Sequence, residues 1–177
     1  MSITLAILIP GLLLLILGLA LASGRSTVRA AFQSFPRSPA ATVVFFGTGA
    51  LCFLYRVWNL SPADFGEYRT ILTIAFAAIA LLAFKYTPDF LAVRGLAILV
   101  LLGAMPLLDA TYMVYGWTLF MKVPVYIGIA LALYLGASPF RLRDFLAWLF
   151  QRPGRSQMLG YALSGYGLLL SILAFTY

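Results

Sequence analysis

The sequence predicts an all-α integral membrane protein, a bundle of six transmembrane helices with one or two amphipathic helices at the cytoplasmic interface. Three observations carry that expectation. Of 177 residues, 63% are hydrophobic and 10% charged, whereas soluble domains run about 45–50% apolar and about 25% charged. Mean hydropathy is +1.01. The apolar residues also gather in runs long enough for the helix of about 20 residues that a hydrocarbon core about 30 Å thick requires. Six such spans and their turns use up residues 1–177 as a single transmembrane domain.

The first run, Ile3 to Ala22, raises the question of a signal peptide, because Ala20-Leu21-Ala22 has the look of a cleavage site. Met1-Ser2 supplies no Lys or Arg, and the run exceeds the 7–15 residues of roughly typical signal cores, so it reads as a retained span. Ala40 to Trp58, Thr70 to Tyr86 and Met158 to Tyr177 are equally clear. Leu91 to Ala137 is too long for one crossing: at about 1.5 Å per residue it would reach about 70 Å. It must be a hairpin, and Tyr115-Gly116-Trp117 is the natural turn, since glycine permits the reversal and the aromatics suit an interface. Spans at 91–113 and 119–137 result.

Ser-Pro recurs at 38–39, 61–62 and 138–139. Serine caps the orphan N–H groups of a helix start, and proline is tolerated at the first helical position, so each pair marks a start. In Phe140 to Gln151, Leu142, Phe145, Leu146 and Leu149 fall on one helical face, and Pro153-Gly154 ends the pattern. Ser23 to Phe35 repeats this more weakly through Val28, Phe32 and Phe35. Both segments read as interfacial helices.

Orientation follows from Lys and Arg in the short loops. Arg25, Arg29, Arg37, Lys85, Arg94, Arg141, Arg143, Arg152 and Arg155 lie on one side, against Arg56, Arg69 and Lys122 on the other. The positive-inside rule puts the first set in the cytoplasm and both termini outside, in a cell inner (plasma) membrane. Arg25, Arg29, Arg141, Arg143, Arg152 and Arg155 are then the candidate headgroup contacts. Anionic lipid accounts for the net charge of +7 without nucleic acid.

Residue counts narrow the chemistry. With no His and one Cys, the chain cannot build a His/Cys zinc site, a bis-His haem, a Cys-ligated cluster or an internal disulfide. No metal and no cofactor is expected, and Cys52 reads as a small packed hydrophobe. Phosphate-loop, dinucleotide-binding and serine-elbow motifs are missing, so catalysis is not expected.

An ionisable side chain within a span is a functional candidate by default. Asp109 is essentially alone in that position, about 21 Å along its helix from Gly95. Two readings stand side by side: an ion pair with Lys122 across the hairpin, or an outward-facing polar pocket made by Asp109, Lys122, Tyr112, Tyr126, Arg56 and Glu67. Small residues at four-residue spacing let helices approach closely. Gly128, Ala132 and Gly136 form such a ridge, and Gly18/Ala22 and Gly160/Ser164 are shorter ones. They serve packing within the chain, or contact with a second copy or another membrane protein.

The leading functional expectation is a non-catalytic subunit or scaffold of a membrane complex. The alternatives are a small-solute or ion transporter using the pocket around Asp109, and a lipid-binding or lipid-modifying protein using the basic loops.

Overall fold

The structure is a computed structural model describing residues 1–177, apart from the side chain of Pro153. It is all helical, with no strand among the described residues, and six helices are long and apolar enough to cross a membrane. In chain order the helices are α1 (Ile3–Ala22), α2 (Ser26–Ser34), α3 (Pro39–Trp58), α4 (Arg69–Tyr86), α5 (Leu91–Ala110), α6 (Thr118–Ala137), α7 (Phe140–Phe150) and α8 (Pro153–Ala174). The chain is a polytopic membrane protein, and its exposed Leu, Ile and Val side chains along the spans face lipid.

Local chemistry explains most boundaries. The Ser2 hydroxyl accepts from the Leu5 amide at 3.3 Å to open α1, and Ser38 accepts from Ala41 at 3.2 Å to open α3. The second Ser-Pro pair acts differently: Ser61 donates to the Asp64 carboxylate at 2.8 Å and starts a 3-10 turn, Pro62–Asp64, ahead of α4. The hairpin turn falls where glycine allows it, with Gly116 at φ +92 between α5 and α6. The fourth span ends at Ala110, three residues short of the expected 113. There Thr111 turns its hydroxyl back to the carbonyls of Leu107 and Leu108, each at 3.2 Å, closing the last turn of α5.

The chain divides into two compact units. Unit 1 comprises residues 1–33, 103–131 and 143–177. Its core is Ala6, Ile7, Ala104, Met121, Val125, Leu170 and Ala174. Its main seam runs between α1 and α8, which lie antiparallel. Gly11, Leu15, Gly18 and Ala22 face Gly160, Ser164, Gly167 and Ser171, both sets spaced four, three and four residues apart. A β-carbon on Gly11 would stand 3.0 Å from Leu170 Cβ. At Gly18, Gly160 and Gly167 it would collide with the backbone of the other helix. Lipid tails are as apolar as leucine, so the gain here is close packing rather than escape from water. The predicted ridges at Gly18/Ala22 and Gly160/Ser164 are thus each other's partners.

Unit 2 comprises residues 34–102 and 132–142. Within it, α3 carries a π-helical segment, Thr42–Phe46. Gly95 of α5 packs directly on this segment, where a β-carbon would clash with the backbone of Phe45 and Phe46. Gly49, one turn further along α3, rests on Ile98 and the Gly95 carbonyl. Within Gly47-Thr48-Gly49 it is Gly49 that serves packing, since a β-carbon on Gly47 would meet nothing within 4 Å. α4 contacts α3 through two edge-to-face pairs, Phe46–Phe84 at 5.2 Å and Phe53–Phe76 at 5.1 Å.

The two predicted surface helices form as α2 and α7. Val28 and Phe32 are half-buried, and Phe32 lies 6.2 Å from Phe150. On α7 the buried residues are Leu146, Leu149 and Phe150. Phe145 departs from expectation: it is exposed and stacks on Trp148 at 6.0 Å. The covered face is turned about one residue toward Phe150, because α2 supplies the neighbour there.

Candidate functional site

The expected Asp109–Lys122 ion pair does not form. The Lys122 ammonium donates instead to the Val114 carbonyl at 3.0 Å, an oxygen that also accepts from the Thr118 hydroxyl at 2.8 Å. The reason is local. α5 stops at Ala110, and the turn that follows leaves a carbonyl with no helical donor within reach of a lysine eight residues on. Asp109 is exposed on α5, and Tyr112 and Tyr126 are exposed as well. The lysine thus fastens the hairpin turn, while fully buried Thr111 and Thr118 flank it. Arg56 and Glu67 are exposed residues of unit 2, the one near the end of α3 and the other in the turn before α4.

The ridge on α6 is divided. Ala132 is buried, and a β-carbon on Gly136 would stand 3.8 Å from Ala97 Cβ of α5, both within unit 2. Gly128 is half-buried and belongs to unit 1.

The six candidate headgroup arginines sort into different roles. Arg143 pairs with Asp144 at 2.8 Å, the one ion pair among the described residues. The Arg155 guanidinium donates to the Trp148 carbonyl at 3.1 Å and lies 4.5 Å over the Trp148 ring, which secures the end of α7. Arg141 lies over the Phe140 ring at 5.5 Å, and Arg152 is exposed at the start of α8. Arg25, just ahead of α2, and Arg29, one helical turn on, line a cavity of about 90 Å³ in unit 1. Gln157 of α8 and Phe150 of α7 close it from the other side. Sequence reasoning found the two arginines but missed Gln157, which lies just ahead of the predicted span at Met158, beside Arg155 and Ser156, and carries no periodic signal.

A second concavity, in unit 2, is an open groove of about 310 Å³ floored by Ala97, Ala132 and Gly136, with half-buried Arg94 at its edge. Arg94 was read from sequence only as one charge among nine.

These features define a polytopic all-α membrane protein with six candidate membrane spans. Comparison with known proteins finds no matching family model, no similar curated protein and no similar solved structure.

Proposed function

We propose that the protein is a non-catalytic subunit or scaffold of a membrane complex, and that α4 is the helix through which it associates. The observation behind this is that α4 has no buried residue anywhere along its length. The face turned from α3 carries Ile71, Ala75, Ala78 and Leu82, all exposed. Their spacing of four, three and four residues is that of the α1–α8 seam, with small side chains at the two central positions. In lipid such a surface favours a helix that fits it, because packing is the main attraction available. Placement in the cell inner membrane, with the basic loops on the anionic cytoplasmic face and both termini outside, completes the reading. The transporter alternative has less support, since Lys122 is spent on the Val114 carbonyl.

Native mass measurement of the protein extracted in mild detergent tests the proposal. A second chain, either another copy or a different membrane protein, is expected at fixed stoichiometry. Ala78→Trp should release it without lowering the melting temperature, since Ala78 is exposed on a helix with no buried residue. A single-chain mass for the wild type, or an unchanged complex in Ala78→Trp, overturns it.

A further inference from the structure

We infer that the cavity between α2 and the start of α8 is a binding site for a phosphate ester, formed by Arg25, Arg29 and Gln157. The argument starts from charge. Arg25 and Arg29 stand one helical turn apart, so their guanidinium groups are placed to act together on one anion. Neither is matched by a carboxylate, since the ion pair among the described residues is Arg143–Asp144. The bland use for such arginines is to satisfy the last carbonyls of α1, as cations often do at helix ends. Two of those carbonyls already have donors: the Ser23 hydroxyl donates to the Ala20 carbonyl at 2.7 Å, and the Ser23 amide donates to Leu19 at 3.0 Å.

Space and donors agree with the charge. The cavity holds about 90 Å³, a scale that suits one tetrahedral anion better than a drug-sized ligand, whose sites run about 300–1,000 Å³. Gly24, at φ +61, carries the chain out of α1 and lines the cavity. A β-carbon there would stand 2.9 Å from the Gln157 amide nitrogen, so that nitrogen borders the free space. Gln157 adds neutral donors to two charged forks, the combination that recognises phosphate oxygens. The first turn of α8 has no side-chain cap, and its positive end favours an anion in the same place. The carbonyl end of α1 opposes this, and the two guanidinium charges outweigh a partial charge of about half a unit. Val28 and Phe150 supply an apolar wall, which suits a phosphate whose ester continues into hydrocarbon.

The ligand chemistry has two sources, a phospholipid headgroup and a soluble phosphate, and the experiment separates them. Purified full-length protein is assayed by native mass spectrometry with phosphatidylglycerol and with phosphatidylcholine, and by melting in detergent with inorganic phosphate. The expected result is retention of phosphatidylglycerol over phosphatidylcholine. Arg25→Gln/Arg29→Gln should weaken it by about tenfold or more, the scale of a lost charge-assisted hydrogen bond. Arg37→Gln/Lys85→Gln, which removes the same charge outside the cavity, should retain the lipid. Saturable stabilisation by inorganic phosphate that Arg25→Gln/Arg29→Gln abolishes would instead identify a soluble phosphate as the source. Equal losses in the two double variants mean diffuse attraction to the headgroup layer and overturn the site, as does the absence of binding by either probe. If Arg25→Gln/Arg29→Gln fails to fold, Gln157→Leu serves in its place with the same expectations. None of these outcomes depends on whether α4 has a partner.

Discussion

Gly18 and Gly160 meet backbone to backbone: a β-carbon built on either would lie 2.7 Å from the carbonyl oxygen of the other. The contact is reciprocal, and it leaves no room for any side chain. Gly18→Val and Gly160→Val should therefore each lower stability by about 1–3 kcal/mol, the usual cost of overpacking a close contact. Gly165, five residues along α8 from Gly160, has nothing within 4 Å of its added β-carbon. Gly165→Ala should be neutral or gain up to about 1 kcal/mol from helix propensity. Unfolding in mixed detergent measures all three, and equal behaviour at positions 18 and 165 would mean that the seam is absent.

Lys122 and Asp109 give a second test. Because the ammonium holds the Val114 carbonyl, Lys122→Met should cost about 1.5–3 kcal/mol, the range for a hydrogen bond to a charged group. Asp109→Asn should stay within about 0.5 kcal/mol, as exposed substitutions do. The double variant should equal the sum of the singles to within about 0.5 kcal/mol. Recovery of stability in the double variant would restore the ion pair and discard the Val114 anchor.

Orientation is open to direct labelling. In a Cys52→Ala background, a membrane-impermeant thiol reagent added to intact cells should reach Tyr115→Cys, and should reach Arg29→Cys and Arg152→Cys only after the cells are opened. The reverse pattern would show that the basic loops face outward and would remove the cytoplasmic placement of the phosphate site.

The six spans were legible because hydrophobic length is a property of composition along the chain, indifferent to neighbours. The hairpin turn was legible for the same kind of reason: Gly116 announces a conformation that few other residues adopt. What eluded the sequence was pairing. The spacing of Gly18/Ala22 and Gly160/Ser164 marked close-packing faces, but only the fold shows that each is the other's partner and that Gly11 and Gly167 extend the seam. Lys122 was assigned the nearest opposite charge, because a backbone carbonyl freed by the end of α5 leaves no trace in side-chain identity. The π-helical segment at Thr42–Phe46 was likewise silent, since it answers the approach of Gly95 from a helix some fifty residues away. Of six arginines with equal claims in the sequence, Trp148 engages Arg155 and Asp144 engages Arg143, and of the four that remain only Arg25 and Arg29 line the cavity.

The antiparallel seam of unit 1 also sets an order of events during synthesis. α1 leaves the ribosome ahead of the other five spans and α8 after them, yet each is the other's closest partner. Roughly 130 residues are made between the two, which at about 5–20 residues per second keeps α1 waiting on the order of ten seconds. For that time Gly11 and Gly18 lack the helix that packs on them in the complete fold. The glycine face of α1 is thus covered by α8 only once translation has passed residue 174.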